Sequence, residues 1–565
     1  PNWRFMSSYR YMRLINLTTN QVDIGGGFSG NTVGQPKATA PRPQLPSFFV
    51  AGVTTNITST LISDFRFSYL RNFWQWGTQN APPQISGLGG AVEIAQGTSA
   101  TAEGTNALIP YNVNTQSIRQ RFWDGQDTML RDDLTWAVGK HLFQFGGSFQ
   151  RNFDYHMRTD NGVGINNQIV YQVTSNNINF ANSPYIPSTV GSSYTSIYAA
   201  LYSEVLGLVG QPQVVYTRQG NSLTLQPVGA SASDKSLIHY YQGYFGDTWR
   251  VKPDVTLSYS IGYALELPPV EETGKQVMLV DTGGVPVSVT DYLGKRKSAA
   301  LQGQVYNPSL GFALVGNTAN DGRKYPYDPF YKQWSPRVSV AWNPHYSDGV
   351  AGKLLGNGGT VIRGGYSLIW GRINGVNQVL TPLLGVGLLQ AVVCQGPTRT
   401  GNCAGSGGVD PSTVFRIGTD GMTAPLPSAS QTLAQPFFPG VGGAAVAGDT
   451  SVLDPGYRPQ RTDNITLGIQ RQLTSKTILE VGMMSRLIHN ETMQTNLDAV
   501  PYMTTLNNQS FAQAYSALFQ AMVFNGAAPG TVATQPFFEA ALGGASSASC
   551  KAYSSCTAYV ASAFT

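Results

Sequence analysis

Apolar and polar side chains alternate along much of this chain, and the alternation is sharpest between residues 240 and 266. From residue 255 onward apolar residues take every second position, and mostly small or polar residues take the positions between them. Successive side chains of a strand point to opposite faces, so this period of two predicts a strand with two different surroundings. The apolar set comprises Val255, Leu257, Tyr259, Ile261, Tyr263 and Leu265.

A weaker alternation precedes this strand, and Lys252-Pro253-Asp254 between the two runs predicts a tight turn. Each arm has roughly 9–11 residues, which is enough to cross a bilayer at a tilt. Strands of globular proteins average only about 5–6 residues. We therefore predict a membrane hairpin whose six apolar residues face lipid and whose other face meets water.

The same pattern recurs along the chain. Alternating segments come in pairs with a short turn, and long Gly- and Pro-rich segments such as residues 79–116 and 373–458 separate the pairs. Short turns that alternate with long loops are typical of outer-membrane barrels. Residues 194–209 and 509–524 instead have a helical pattern. The other predicted strands comprise residues 3–14, 48–57 with 65–76, 134–138 with 143–150, 214–218, 223–228, 337–342 with 360–370, and 465–470 with 479–484.

Composition favours a barrel over a soluble domain or a helical membrane protein. Only 12% of the residues are charged, yet hydrophobic residues make up an ordinary 41% and 63 residues are glycine. Soluble domains have about 25% charged residues. No apolar run reaches the roughly 18 residues of a membrane helix, and a sheet in hydrocarbon has to close on itself. We therefore predict an all-β fold, a large antiparallel transmembrane β-barrel whose long loops carry a few short helices.

Aromatic residues and net charge refine this picture. Several tryptophans lie near predicted strand ends, where an amphipathic ring suits the headgroup level of a membrane. The alternative is packing in the core of a soluble sandwich. The net charge of +5 is small and dispersed, so we predict no nucleic-acid partner. The predicted interface residues are Trp136, Trp249, Trp342 and Trp370.

Four cysteines form two close pairs, Cys394 with Cys403 and Cys550 with Cys556, in segments rich in glycine, serine and alanine. Short-range pairs in loops predict two small disulfides and an oxidising location. Free thiols and a zinc site are the alternatives. The spacing argues against zinc, because neither pair has the usual C-x₂₋₄-C spacing.

Motifs for catalysis, cofactors and metals are weak or absent. Gly25, Gly27 and Gly30 match G-x-G-x-x-G, but prolines follow where a dinucleotide site needs a helix. The five histidines are scattered singly. The adjacent carboxylates Asp132-Asp133 and Glu271-Glu272 are expected to be solvated rim residues, since neighbours in a strand point to opposite faces. We predict no enzymatic activity, no cofactor and no metal site.

Five segments resemble successive hairpins of TonB-dependent outer-membrane transporters, and SYRYMRLINLTTNQVDIGG at residues 8–26 resembles their Oar-like branch. The five are LRDDLTWAVGKHLFQFGGSFQRN (130–152), GYFGDTWRVKPDVTLSYSIGYALE (243–266), SPRVSVAWNP (335–344), TVIRGGYSLIWG (360–371) and ITLGIQRQLTSKTILEVGMMSR (465–486).

The resemblance implies a barrel in the outer membrane of a Gram-negative cell, with an N-terminal plug and a short segment that TonB grips. The sequence shows no plug, so we expect contact with the TonB complex only through that missing part. The implied function is uptake of an unidentified small solute, with carbohydrates and peptides as candidates. We expect residues 1–495 to form the transmembrane segment. Residues 496–565 are expected to form a long extracellular loop with helices, truncated before the closing strands.

Two other classes of function stay open on the sequence. One is an outer-membrane adhesin or structural barrel without active transport. The other is a secreted all-β carbohydrate-active enzyme. An upstream plug and TonB segment would distinguish a transporter from an adhesin, and dependence on detergent for solubility would distinguish either barrel from the soluble enzyme.

Overall fold

The computed structural model covers the whole chain, and most of it can be described. The described residues are 2–17, 22–23, 37–38, 41–76, 87–94, 120–161, 165–180, 184–302, 304–319, 322–373, 375, 382–383, 385, 387–405, 407–438, 451–497, 504–547 and 549–563. Much of the predicted loop at residues 79–116 and the glycine motif at residues 25–30 lie outside them.

Strands dominate the described part of the chain. In chain order they are β1 (Trp3–Tyr11), β2 (Leu14–Leu17), β3 (Val22–Asp23), β4 (Lys37–Ala38), β5 (Pro41–Asn56), β6 (Leu61–Trp76), β7 (Ala91–Ile94), β8 (Arg121–Val138), β9 (His141–Arg158), β10 (Val170–Val173), β11 (Val209–Gln219), β12 (Thr224–Leu225), β13 (Ala232–Lys252), β14 (Val255–Glu266), β15 (Val270–Glu271), β16 (Val277–Val280), β17 (Gly311–Leu314), β18 (Trp334–Trp342), β19 (Thr360–Trp370), β20 (Leu389–Val393), β21 (Arg461–Thr474), β22 (Thr477–His489), β23 (Thr505–Leu506) and β24 (Gln509–Ser510).

The helices are short, and local sequence sets their ends. Gly207 ends α1 in the left-handed conformation at φ 65°, which glycine adopts without strain. Ser510 and Gln513 form a reciprocal capping box at the start of α4. The α-helices are α1 (Thr195–Leu206), α2 (Val289–Leu301), α3 (Gly349–Leu355), α4 (Phe511–Phe519), α5 (Pro536–Ala541) and α6 (Cys556–Ser562).

One antiparallel sheet organises the fold. Its strands follow the order β1-β5-β6-β8-β9-β13-β14-β18-β19-β21-β22, so nearly every neighbour in space is the next long strand in sequence. This meander follows from hairpins that alternate with long connections. The hairpins β8–β9 and β13–β14 turn at residues 139–140 and 253–254. We call this edge the turn end of the sheet and the opposite edge the loop end.

A smaller sheet forms within the connections at the loop end, with the order β12-β11-β10-β7 and with β20 beside β11. Its core includes Tyr171, Val209 and Phe415, all nearly inaccessible to solvent. The sheet contains β11 and β12, where the sequence predicts strands at residues 214–218 and 223–228. The short partner strands β7, β10 and β20 were not predicted, because runs of four or five residues give too little alternation to detect.

Contacts group the chain into two compact units. The first comprises Pro1–Met278, Phe312–Leu453 and Tyr457–Thr492, and it holds the large sheet and the smaller one. The second comprises Leu279–Gly311, Asp454–Gly456 and Met493–Thr565. The second unit has its own core, formed by Leu506, Ala514, Leu518, Phe537, Phe538 and Ala561.

The sequence predictions of an antiparallel all-β fold, of the five paired segments and of both helical stretches are confirmed. Several strands are longer than predicted, however. β8 and β9 have 18 residues each and β13 has 21. Their extra residues lie at the loop end, where polar and charged residues occupy both faces and erase the period of two.

Candidate solute-facing surface

The large sheet has one apolar and one polar face, and the strand register carries both from strand to strand. Leu257 lies opposite Trp249 of β13 and Val340 of β18. Its neighbour Ser258 lies opposite Thr248 and Ser339. The predicted lipid-facing residues Val255, Leu257, Tyr259, Ile261, Tyr263 and Leu265 therefore share the apolar face, as do Trp136, Trp249, Trp342 and Trp370. Contact with lipid stays a prediction.

Aromatic rings mark both ends of an apolar band on this face. Trp342 and Trp334 lie on the same face of β18, eight positions apart. At about 3.3 Å per residue they are separated by roughly 26 Å of strand. Trp334 packs against Tyr263 with 4.8 Å between ring centroids and 52° between the ring planes, and Trp370 donates its indole hydrogen to the Trp334 carbonyl at 2.9 Å. Trp334 is not among the predicted interface residues, although its even spacing from Trp342 places both on one face.

Carboxylates interrupt the apolar face, and each has a polar partner. Asp247 Oδ2 lies 2.7 Å from His141 Nδ1 and accepts a hydrogen bond from the Tyr259 hydroxyl at 2.9 Å. Asp463 accepts from the Tyr366 hydroxyl at 2.5 Å. Such pairing is what a polar side chain in an apolar environment requires. The sequence shows Asp247 as a break in the alternation, but its partners come from β9 and β14.

A shallow cavity of about 410 Å³ opens on the polar face over β13, β14, β18, β19 and β21. Small polar side chains and glycines make up most of the lining on the polar face. A Cβ atom at Gly246 would lie only 2.8 Å from Ser260 Cβ, so glycine at this position lets β13 and β14 lie close together. The polar-face lining residues include Gln144, Thr248, Ser258, Ser260, Arg337, Ser339, Ser367, Asn464 and Thr466.

Arg372, just after β19, joins three strands on the polar face. Its Nε donates to Glu266 Oε2 at 2.9 Å, and one terminal nitrogen donates to Gln150 Oε1 at 3.0 Å. The guanidinium carbon lies 4.4 Å from the centre of the Tyr240 ring, a cation–π contact. Glu266 is buried and also accepts from the Ile373 amide at 3.0 Å. This network is built from distant segments, so nothing in the local sequence pattern predicts it.

A row of rings lies on the polar face toward the loop end, beyond the apolar band. Trp74 and Trp123 have ring centroids 4.3 Å apart, and Trp123 lies 3.9 Å from His156. His156 is inaccessible to solvent. Burial, together with the charges of Arg158 and Arg121, lowers the pKa of His156 to about 2. The imidazole is therefore neutral at physiological pH.

Acidic groups near this row also have shifted pKa values. Burial, together with the charge of Asp127, raises the pKa of Asp154 to about 6. Asp234 lies directly opposite His156 in the register, and burial raises its pKa to about 8. Burial alone would raise the pKa of Asp160, but hydrogen bonds from Arg121 and the charge of Arg158 lower it overall.

The expectation that the two carboxylate pairs are solvated rim residues is wrong. Glu271 is buried, and its oxygens accept hydrogen bonds from three backbone amides; of the four carboxylates only Glu272 is exposed. Asp132 and Asp133 lie within β8 on opposite faces, where they accept from the hydroxyls of Ser63 and Tyr244.

Both cysteine pairs are bonded as disulfides, as predicted. The Cα atoms of Cys394 and Cys403 are 5.3 Å apart, and those of Cys550 and Cys556 are 4.9 Å apart. No group of three or more potential metal ligands occurs within the described ranges. None of the described helices has the length and apolarity to span a membrane.

Comparison with known proteins gives one family. The family described as "Outer membrane beta barrel domain" matches residues 3–542. No curated protein matches the sequence.

Similar solved structures include transporters of the outer membrane. The siderophore receptor PiuA from Acinetobacter baumannii has a TM-score of 0.29 and 8% identity, over 86% of this chain and 55% of that one. The ferric-catecholate import receptor Fiu from K12 E. coli has a TM-score of 0.32 and 8% identity, over 88% of this chain and 50% of that one. The copper transporter OprC has a TM-score of 0.29 and 8% identity, over 83% of this chain and 47% of that one. The chain thus spans about half the length of these three proteins.

Proposed function

The chain belongs to the outer membrane beta-barrel domain family, and we propose that it is the barrel of a TonB-dependent transporter that imports a small solute. The two-faced sheet is the observation that carries this proposal. Its apolar face suits hydrocarbon, and its polar face, with the 410 Å³ cavity, suits the water-filled interior of a barrel. The molecule is a transmembrane β-barrel of the outer membrane.

The apolar band is long enough along the strand to cover most of a bilayer core. The strand between Trp342 and Trp334 is roughly 26 Å long, and at a tilt of about 40° it rises about 20 Å along the membrane normal, somewhat less than the apolar band of about 25 Å in outer-membrane barrels. Exposed Ile261 and Val338 lie between these rings with 46% of their surface accessible. We assign Val255, Leu257, Tyr259, Ile261, Tyr263 and Leu265 to lipid, and Trp136, Trp249, Trp342 and Trp370 to the interfaces.

Orientation follows from the connections. Barrels of this kind have short turns on the periplasmic side and long loops outside the cell. The turn end would then face the periplasm, and the loop end, with the smaller sheet and the Cys394–Cys403 disulfide, would face the exterior. We keep the predicted transmembrane segment at residues 1–495 and the predicted extracellular helical segment at residues 496–565 as part of this proposal.

The dependence on TonB and the Oar-like assignment rest on the resemblance of the hairpin sequences. This resemblance implies that the TonB complex acts through an N-terminal plug. The polar face would supply the path of the solute, and the Arg372 network would brace the three strands that line it.

Solute depletion from a mixed medium tests transport. Strains that lack this gene, lack TonB or retain both are grown in the same medium, and mass spectrometry follows each solute. A transporter predicts that one solute remains in the medium of both deletion strains. Equal depletion by all three strains would contradict transport and favour an adhesin or a structural barrel.

A further inference from the structure

One connection at the turn end is longer than its neighbours and carries a helix. The other described connections at this end have two to four residues, whereas residues 343–359 join β18 to β19 and include α3. The side-chain amide of Asn343 donates to the carbonyls of Gly358 and Thr360 at 2.9 and 2.7 Å, so it ties the two ends of the connection together. A tight turn is enough to join two neighbouring strands, so the helix calls for another explanation.

Two contacts place α3 on the apolar side of the large sheet. Tyr346, just before the helix, packs edge-to-face against Trp342 with 6.4 Å between ring centroids. Within the helix, the Lys353 carbonyl accepts a hydrogen bond from a terminal nitrogen of Arg471 at 2.9 Å. Arg471 shares the face of Trp342, because it lies two positions beyond Ile469 in the row of that tryptophan. Both contacts are therefore with side chains of the apolar face.

The helix exposes aliphatic side chains. Val350 and Leu354 are four positions apart, so they lie on the same side of α3, and they are 73% and 64% accessible. Ala351 and Leu355, on the neighbouring side, are half-buried. Exposed apolar patches mark surfaces that contact a membrane or another protein. The side of α3 that bears Val350 and Leu354 is therefore a candidate contact surface.

Positive charge accompanies this surface. Lys353 is exposed three positions after Val350, and the guanidinium of Arg471 lies beside its carbonyl. Lysines also outnumber carboxylates at the turn end as a whole. The lysines and carboxylates of the described connections there, and of the strand residues that flank them, are Lys140, Lys252, Lys353, Lys476, Asp254 and Asp348. Such an excess of positive charge attracts anionic headgroups.

A phospholipid surface matches both the aliphatic and the basic groups. A helix in a membrane interface places its aliphatic side chains at the boundary between headgroups and acyl chains, and its lysines extend toward the phosphates. Trp342 ends the apolar band, where an amphipathic ring suits the headgroup level. Since Tyr346 joins the start of α3 to that ring, the surface of the helix is continuous with the surface assigned to lipid.

We propose that α3 lies in the membrane interface at the turn end and docks on anionic phospholipid. Val350 and Leu354 contact the acyl chains just below the headgroups, and Lys353 and Arg471 contact the phosphates. In the proposed orientation this is the periplasmic leaflet. The inference rests on the proposed contact between the apolar face and lipid, and it is independent of transport.

Quenching of a bimane fluorophore by lipid brominated on its acyl chains tests the position of α3. The label is attached at Leu354→Cys, and the folded protein is placed in phosphatidylcholine vesicles that contain the brominated lipid. The four native cysteines are bonded as disulfides, so the new thiol takes the label. Quenching should approach that at Val338→Cys, in the middle of the apolar band, and should clearly exceed that at Ser475→Cys, in the exposed β21–β22 turn.

The two comparison sites separate this inference from the proposed function. Strong quenching at Val338→Cys, with quenching at Leu354→Cys no stronger than at Ser475→Cys, would show that α3 stays in water and would overturn this inference alone. An absence of quenching at Val338→Cys would contradict the contact of the apolar face with lipid, and this inference would fail with it.

The same label measures the headgroup preference. Brominated phosphatidylglycerol and brominated phosphatidylcholine are compared as equal small fractions of the vesicle lipid, and the anionic lipid should quench more. Lys353→Gln and Arg471→Gln should each reduce its local enrichment by up to about fivefold at low salt. Lys332→Gln, at an exposed lysine near the loop end, is the matched control and should change nothing. Equal quenching by the two lipids in the otherwise unchanged protein would refute the preference for anionic phospholipid.

Discussion

Glu271 is a single side chain that links β13 to the turn after β15. One oxygen accepts from the Lys235 amide at 3.2 Å, and the other accepts from the amides of Thr273 and Lys275 at 2.9 and 2.8 Å. The residue is 4% exposed, so water cannot replace these bonds. The carboxylate thereby satisfies backbone groups that have no other acceptor in the turn after β15.

Glu271→Ala should therefore destabilise the protein by about 1–3 kcal/mol for each buried amide left without a partner. The measurement is the thermal midpoint of the shift between folded and unfolded mobility on a gel. Glu272→Ala is the matched control, because the neighbouring carboxylate is exposed and should leave the midpoint unchanged. Equal midpoints for the two variants would contradict the capping role.

His156 should make the protein sensitive to acid. Its pKa is about 2 in the folded protein, whereas an unfolded histidine has a pKa of about 6.5. Between these values only the unfolded chain binds the proton, so the free energy of unfolding falls as the pH falls from about 6.5 toward 2. Arg121, Arg158, Asp160 and Asp234 are the charged or titratable groups around the ring.

His156→Gln should flatten this part of the stability profile, measured as the thermal midpoint at a series of pH values. Carboxylates titrate in the same range, so the informative quantity is the difference between variant and wild type at each pH. His345→Gln, at an exposed histidine, is the control. Parallel profiles for His156→Gln and wild type would show that the folded protein already protonates His156.

At the scale of one element, β14 has one apolar face and one polar face. Ile261 is exposed on the apolar face, and Ser258 lies on the polar face beside the cavity. Ile261→Lys should destabilise the barrel, but by less than the roughly 2–4 kcal/mol that a lysine facing lipid costs at the bilayer midplane, because Ile261 lies two positions from the level of Trp334. Ser258→Lys should have little effect, because its side chain reaches water.

Folding into vesicles of a phosphatidylcholine, followed in urea by tryptophan fluorescence, measures this difference. The two variants carry the same added charge on the same strand, so they differ mainly in the face that the lysine occupies. If both lose stability equally, the apolar face does not meet lipid, and the assignment of the six β14 residues fails.

The sequence predicts β14 well because apolar and polar residues alternate along most of its length. The same rule locates the hairpins and the tryptophans of the band. It fails where both faces meet water or protein, as in the loop-end halves of β8, β9 and β13. It also cannot predict which distant strands meet, so the Arg372 network and the partners of Asp247 emerge only from the structure.

For the whole molecule, the two compact units have different kinds of stability. The first unit depends on backbone pairing along the large sheet, where much of the apolar surface is exposed. The second has a conventional core in which Phe537 is fully buried against Phe511 and Phe538, and the Cys550–Cys556 disulfide lies in the same unit. A unit with its own core is expected to unfold as its own cooperative block.

Phe537→Ala should remove about 3–5 kcal/mol from the second unit, the usual loss for a phenylalanine in a packed core. Hydrogen exchange read by mass spectrometry should then show faster exchange in α4, α5 and α6 and unchanged protection in β13 and β14. Phe519→Ala is the control, because that phenylalanine is 36% exposed on α4 and should change protection little. Faster exchange throughout the large sheet would mean that the two units unfold together, because the strands would then depend on the helical core.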